Sequence, residues 1–287
     1  KAKSGNIDDI DYCVGCNQGC YDGFESQDSP CITCLRNPAL GRERECEIVQ
    51  TDKPETVLVA GGGTGGLEAA IILKKRGHNP ILCESTDKLG GQFLTAGEAP
   101  RKEEMKNAVM AMAEKAKRLG VDIRMNTAVT PELIEEINPH TVINAIGAVP
   151  IIPNIPGKDK DFVVDSHDVL DGNVSVNGNV VVIGGGMVGM ETAEYLAGKG
   201  AKVTVLEMMK EFCADMGSTR KICVTESIYQ EGITPVTEVK VTGIENGRVV
   251  GEKDGQKVEF PCDYAVIAVG AVKRDGRALE KKCNEMG

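Results

Sequence analysis

The sequence predicts an α/β protein made of two similar three-layer halves, with a short cysteine-rich segment in front of them. Three observations predict it. A strand pattern that runs into a glycine-rich turn and then a helix occurs twice. The first copy is Thr56-Val-Leu-Val-Ala60 followed by Gly61-Gly62-Gly63-Thr64-Gly65-Gly66; the second is Asn179-Val-Val-Val-Ile183 followed by Gly184-Gly185-Gly186-Met187-Val188-Gly189. The landmarks that follow stay in register: Gly61 to Glu84 and Gly184 to Glu207 both span 23 residues, and Gly61 to Gly147 and Gly184 to Gly270 both span 86. The copies therefore lie 123 residues apart. Glycine is also enriched, at 34 of 287 residues without a collagen period, which points to tight backbone turns.

Each element has a physical reason. The short apolar runs at 56–60 and 179–183 suit strands buried on both faces. In a Gly-x-Gly-x-x-Gly turn the first glycine makes the bend, the second lets a pyrophosphate reach bare backbone, and the third lets helix and strand pack closely. Helices are expected from Leu67 to about Lys75 and from Met190 to Ala197. Their unpaired N–H groups and positive dipole ends then face the pyrophosphate. The next strands, Pro80 to Glu84 and Ala201 to Glu207, end in carboxylates placed for ribose hydroxyls. Glu207 favours NADH over NADPH, because a carboxylate repels a 2′-phosphate. Arg101 to Leu119 reads as an amphipathic helix with Met105, Val109, Met112, Ala116 and Leu119 on one stripe and Gly120 as its stop. Gly120 to Asn126 and Gly232 to Val236 open further strands, and Val142 to Ala148 and Ala265 to Ala271 close each copy. Pro150 to Gly157 is an extended, stiff connection, and 236–260 reads as antiparallel hairpins broken at Asn246-Gly247 and Asp254-Gly255.

Composition narrows the partners. A formal net charge of −10 and a pI near 5 argue against a charge-driven binder of nucleic acid or anionic lipid. The longest stretch without polar side chains, Val180 to Met190, falls far short of the ~20 residues that span a bilayer. Eleven cysteines, an odd number with no signal-peptide pattern, suit reduced thiols and a cytoplasmic setting. Five of them, Cys13, Cys16, Cys20, Cys31 and Cys34, crowd into 22 residues. Spacing alone leaves two readings of that cluster. Cys13, Cys16 and Cys20 with a distant fourth cysteine suit an iron–sulfur cluster, whereas the pairs Cys13/Cys16 and Cys31/Cys34 approach a zinc-ribbon spacing. His78, His140 and His167 stand in polar, loop-like settings and receive no role. No redox cysteine pair lies in Leu89 to Ala96, and Cys213 and Cys223 lack CxxC spacing, which argues against disulfide reduction.

The local sequences are more specific. Cys13-Val-Gly-Cys-Asn-Gln-Gly-Cys20, Cys34-Leu-Arg-Asn-Pro-Ala-Leu-Gly-Arg-Glu43, Lys88-Leu-Gly-Gly-Gln92, Pro100-Arg-Lys-Glu-Glu104 and Gly184 through Leu196 follow one another along the chain. In this order they resemble the iron–sulfur flavoenzymes related to old yellow enzyme, which include 2,4-dienoyl-CoA reductase, 2-enoate reductase and, more distantly, trimethylamine dehydrogenase. The resemblance implies Cys13, Cys16, Cys20 and Cys34 as ligands of a [4Fe-4S] cluster, with Cys31 as the alternative to Cys34. It implies FAD on Gly61, Gly63, Gly65 and Gly66, with Glu84 on the ribose. Gly91 and Gln92 would lie along the ribityl and pyrophosphate, Lys102 would be a basic contact, and Val129 would be a strand position meeting adenine through its backbone. Gly184, Gly186, Gly189 and Glu207 would hold NADH, and Glu191 would be a helix-start acid near the flavin edge, the one catalytic candidate.

The resemblance also implies a division of the chain: a barrel remnant and [4Fe-4S] segment over 1–50, an FAD-binding domain over 51–155, an NAD-binding domain over 156–275, and the start of a return to the FAD domain over 276–287. Family members carry FMN in a (β/α)8 barrel ahead of the cysteines; here Lys1 to Ile10 resembles only its last stretch. The Gly-Asp segment that closes on the flavin is not found before Gly287. The expectation is an internal fragment with an open FAD site. It would pass electrons from NADH through FAD and the cluster to the barrel's FMN, for reduction of a C=C bond. The alternative is a non-redox, ADP-holding module of a trimethylamine-dehydrogenase-like enzyme; an intact second glycine loop with Glu207 favours the reductase.

Overall fold

The computed structural model describes residues 3, 5, 10–26, 32–214 and 216–287. The barrel-remnant reading of the first ten residues and the Cys31 alternative therefore fall almost wholly outside the described residues. The chain divides into two compact units: 1–97, 102–148 and 273–287 form the first, and 98–101 with 149–272 the second.

The first unit opens with a one-turn helix, α1 (Tyr21–Glu25). It continues through β1 (Thr56–Ala60), α2 (Thr64–Lys75), β2 (Asn79–Cys83), α3 (Gln92–Ala96), α4 (Glu103–Arg118), β3 (Asp122–Arg124), α5 (Pro131–Ile137) and β4 (Thr141–Asn144). Its four strands are parallel in the order β3-β2-β1-β4. Alternation along β1 feeds two cores. Val57 and Val59 pack with Leu67, Ile71, Val109 and Met112 of α2 and α4. Leu58 and Ala60 pack on the other face with Ile134 of α5 and with Leu279 near the chain end. Both faces are thus covered, as a parallel sheet requires. The expected stripe of α4 is buried at Met105, Val109, Met112 and Ala116, and Gly120 beyond it takes φ +73°, a helix-stopping conformation.

β5 (Ala148–Pro150) leads to the second unit: β6 (Val163–Asp165), α6 (Ser166–Leu170), β7 (Asn179–Ile183), α7 (Met187–Gly198), β8 (Lys202–Leu206), α8 (Ser218–Gln230), β9 (Thr234–Val236), β10 (Lys240–Glu245), β11 (Arg248–Lys253), β12 (Gln256–Pro261) and β13 (Tyr264–Ile267). The parallel order β6-β13-β7-β8-β9 repeats the first sheet and adds one edge strand. Val180 and Val182 face α7 and α8 through Met190, Ala193, Leu196 and Ile228. Val181 and Ile183 face the other way, onto Val239, Ile244, Val249 and Cys262. The third layer here is therefore the antiparallel sheet β10-β11-β12, not a pair of helices. Its second hairpin turns on Asp254 and Gly255, both at positive φ, as a two-residue turn demands. β14 (Ala271–Lys273) pairs with β5, and α9 (Arg277–Met286) returns to the first unit, burying Leu279 with Cys283 beside it.

Two helices start earlier than expected, α2 at Thr64 and α7 at Met187, because the last residues of each glycine turn are already helical. The third glycine of each turn makes that start feasible. A Cβ on Gly66 would lie 1.9 Å from the Gly61 carbonyl oxygen, and one on Gly189 would lie 1.9 Å from that of Gly184. Backbone cannot yield as a flexible side chain can. Gly189→Ala is therefore expected to cost at least about 1–3 kcal/mol of stability in thermal unfolding. Gly186→Ala, into space with nothing within 4 Å, is expected to stay within about 1 kcal/mol of the parent.

Candidate functional site: two matching glycine loops

Each loop leaves the carboxyl end of a central strand, where the strand order of the parallel sheet reverses, the position at which such sheets bind ligands. In the first unit Gly61 takes φ +105°, and its Cβ would meet the Ala145 carbonyl oxygen at 2.3 Å, so only glycine makes this bend. Gly63 caps α2 with extended backbone and no side-chain hydrogen bond. A Cβ there would find nothing nearer than 3.9 Å, and one on Gly65 nothing within 4 Å. That is bare backbone at a helix start, a place that could hold an anionic group such as a pyrophosphate.

Glu84, only 8% exposed, stands against this loop. Its Oε2 accepts the Gly62 N–H at 2.7 Å, and its Oε1 accepts the Thr86 N–H and hydroxyl, both at 2.9 Å, and the Ser85 hydroxyl at 3.2 Å. Burial pushes the Glu84 carboxyl up, but these hydrogen bonds outweigh it and hold the group below the usual carboxylate range. Ser85 and Thr86 were not singled out in the sequence; a hydroxyl pair directly after the strand-end acid is the signal that would find them. Gly91, at φ +54°, lies against the loop, its Cβ position 3.0 Å from Gly63 Cα, and the Gly90 N–H donates to Gly62 O at 2.8 Å. Gln92 follows as the exposed first residue of α3. The structure thus gathers Gly61, Gly63, Gly66, Glu84 and Gly91 about one turn.

Lys102 and Val129 are placed differently. Lys102 is the residue before α4. Val129 is not on a strand: β3 ends at Arg124, and Val129 sits in the irregular stretch before α5, packed against the cluster of Leu58 and Ile134. The strand shortens because the chain turns at Met125-Asn126, with Asn126 at φ +52°.

The second loop reproduces the first position by position. Gly184 takes φ +111° with its Cβ position 2.4 Å from Ala268 O, and Gly186 caps α7 over open space. Glu207 accepts the Gly185 N–H at 2.7 Å on Oε2 and the Met209 N–H at 2.7 Å on Oε1. The register of 123 reaches further than the sequence alone suggested. Cys213 N–H donates to Gly185 O at 2.8 Å, matching Gly90 on Gly62, and Phe212 stands where Leu89 does. Glu191 lies beyond the first turn of α7, which contains no acid, so it is not a helix-start group. Its Oε1 accepts from Arg220 Nη2 of α8 at 3.1 Å, with the two side chains 13% and 15% exposed. Arg220 was also unforeseen.

In the cysteine segment Cys13, Cys16, Cys20 and Cys34 are free thiols, exposed or half-buried. The Gly15 N–H donates to Cys13 Sγ at 3.3 Å, and the Thr33 N–H donates to Gly19 O at 2.8 Å, so the residues beside Cys34 and Cys20 meet. The donor chemistry suits a thiolate-bound cluster. Among the described residues no three His, Cys, Asp or Glu side chains stand together as a metal site. No helix of the described residues is long and apolar enough to cross a membrane.

Comparison with known proteins agrees with this geometry. The pyridine nucleotide-disulphide oxidoreductase family matches residues 132–287, and the FAD dependent oxidoreductase family matches residues 56–141. Over 284 residues the chain is 39% identical to a bilirubin reductase of Mediterraneibacter gnavus, covering 98% of this chain and 44% of that protein. It is 38% identical over 293 residues to an NADH oxidase of Thermoanaerobacter brockii, covering 100% and 45%. Its fold matches a 2-naphthoyl-CoA reductase complexed with 2-naphthoyl-CoA at a TM-score of 0.93 and 29% identity, over 100% of this chain and 44% of that one. The chain thus spans less than half the length of these relatives.

Paired dinucleotide folds of this kind define an NAD(P)H-dependent flavin oxidoreductase. More particularly, the chain belongs to the pyridine nucleotide-disulphide oxidoreductase family. The resemblance to the flavin and nicotinamide portion of the iron–sulfur flavoenzymes related to old yellow enzyme holds along the chain.

Glu84 gives a pH test. A carboxyl held below its unfolded value adds stability above the ordinary range near pH 4.3, and loses it as pH falls through the lower native value. Denaturant unfolding from pH 6 to pH 3 is expected to show falling stability, with a shallower slope in Glu84→Gln.

Proposed function

We propose that the chain is the NADH-to-flavin portion of an iron–sulfur ene-reductase. The observation that supports this most is the matched pair of loops, each with bare backbone at a helix start and a carboxylate that accepts the N–H of Gly62 or Gly185, the residue after the first glycine of the turn. A non-redox holder of ADP needs one such loop; hydride transfer between two dinucleotides needs two.

In this reading Gly61, Gly63, Gly65 and Gly66 carry the FAD pyrophosphate and Glu84 accepts from its ribose. Gly91 and Gln92 line the ribityl and pyrophosphate, Lys102 supplies a positive contact, and the Val129 backbone meets adenine. Gly184, Gly186, Gly189 and Glu207 carry NADH. Glu207 has both oxygens engaged by backbone N–H groups, so its carboxylate cannot swing away from a 2′-phosphate. Bound FAD would supply the hydride acceptor; the chain's own task is to bind and orient both dinucleotides and shield them from water. Glu191 is the acid assigned to the flavin edge.

The reading extends to a [4Fe-4S] cluster on Cys13, Cys16, Cys20 and Cys34, supported by four free thiols and the Gly15 N–H on sulfur. It extends further to an FMN-bearing barrel as the partner domain of a longer cytoplasmic protein. The names of the relatives, a bilirubin reductase and a 2-naphthoyl-CoA reductase, support a conjugated, unsaturated substrate for that protein. Although the family is named for disulphides, the absence of cysteine from Leu89 to Ala96 favours alkene over disulfide reduction.

Anaerobic spectra of the full-length protein test the reading. NADH is expected to bleach a flavin band, and iron with labile sulfide is expected near four of each per chain by metal analysis. A flavin band unmoved by NADH supports the ADP-holding alternative, and zinc in place of iron removes the cluster. NADH is expected to outperform NADPH at least tenfold in kcat/KM, with Glu207→Ala narrowing that preference.

A further inference from the structure

The second unit holds two carboxylates on α7, three residues apart, each met by an arginine from another segment. Glu194, 5% exposed at its side chain, accepts from Arg101 at 2.6 Å. Arg101 is 62% exposed and also donates to Ser227 of α8, so this pair reads as an anchor for α8. The Glu191–Arg220 pair is unlike it, because both of its members are largely withdrawn from water.

A withdrawn ion pair contributes little net stability, since desolvation of two charges offsets most of their attraction, but losing one member strands the other. What such a pair does supply is a fixed position. Glu191 lies five residues beyond Gly186, the cap of α7, and side chains on a helix tilt toward its N-terminus. Its carboxylate is therefore carried back toward the glycine loop. Arg220 comes from the first turn of α8 and donates from Nη2 to Glu191 Oε1 at 3.1 Å.

We propose that Arg220 is a positioning residue for NADH-to-flavin hydride transfer, holding the Glu191 carboxylate in one orientation at the nicotinamide end of the second loop. This rests on the assignment of Glu191 to the flavin edge made above. Arg220 acts through Glu191 and not on either dinucleotide directly. A guanidinium is rigid and planar, so it fixes a carboxylate better than an ammonium does, yet a lysine keeps the charge.

The test uses the flavin-loaded full-length protein, with FAD bleaching by NADH followed in stopped flow under anaerobic conditions. Arg220→Gln is expected to lower the limiting rate about tenfold to a hundredfold, as a small misplacement at a reacting centre does. The apparent NADH dissociation constant should move less than about twofold, a split that general loosening of the unit would not give. Arg220→Lys should recover most of the rate, and Arg220→Gln with Glu191→Gln together should be no slower than Glu191→Gln alone. Should Arg220→Gln fail to fold, the lysine variant and the Glu191→Gln background carry the comparison.

A slow Glu191→Gln beside Arg220 variants at the parent rate would overturn the role of Arg220 and leave Glu191 in place. Arg220→Gln and Glu191→Gln slowing additively would also overturn it. Both variants at the parent rate would overturn the assignment of Glu191 itself. A parent flavin that NADH does not bleach would overturn the reductase reading, and this inference with it.

Discussion

Everything at the two loops depends on one close approach of backbone to backbone. Where α2 leaves its turn, Gly66 passes so near the Gly61 carbonyl that the space left for a Cβ is negative; α7 does the same at Gly189 over Gly184. That approach brings the helix start directly over the end of the central strand. A helix start of this kind carries the positive end of the helix dipole to that strand end. Gly62 and Gly185, between the first two motif glycines, lie beside the acid at the end of the neighbouring strand and donate their N–H to one carboxylate oxygen. Strand, turn, helix and carboxylate are one constraint expressed four times.

This constraint explains which parts of the molecule were legible. Glycines that must be glycine leave a signature in the sequence, and two signatures with one spacing leave little freedom in strand order. The bounds of β1 and β7 are legible to the residue, and four of the five expected stripe positions of α4 are buried, with Leu119 past the helix end and Ala108 and Ala113 added, because burial imposes a period there. Elements without such a signature were not legible. α5 starts from a local cap, the Thr130 hydroxyl on the Leu133 N–H, with Pro131 at its first position, and buries only Ile134 fully. α8 buries only Ile228 fully, so its sequence has hardly any stripe. That weak pattern also hid Arg220, whose partner lies 29 residues away on another helix. Contacts made across elements by polar side chains leave no periodic trace.

The covers of the two sheets were likewise beyond the sequence. Alternating apolar residues on β7 state that both faces are buried, yet not by what. In the first unit the far face takes α5 and α9, whereas in the second it takes the antiparallel sheet. Both solutions satisfy the requirement that a parallel strand be covered twice. The glycine turn at Gly157, whose Cβ would strike the Ile244 carbonyl, locks the connection from β5 onto that added sheet.

The repeat is closest where it departs from itself. Gly90 and Cys213 make the same hydrogen bond, to Gly62 O and Gly185 O, both at positive φ, but one is glycine and the other carries a buried thiol. The next positions are Gly91 and Ala214. In the first loop, two consecutive glycines leave the strap over Gly63 as bare backbone, with the Gly91 Cβ position only 3.0 Å from Gly63 Cα. The second loop lacks that bareness, and its strap carries side chains where the first carries none. A ligand held permanently benefits from contact with backbone on both sides, since backbone dipoles are fixed and cost no side-chain ordering. The two loops thus differ at two residues inside an otherwise duplicated frame, and the proposed flavin site is the one whose strap is bare backbone.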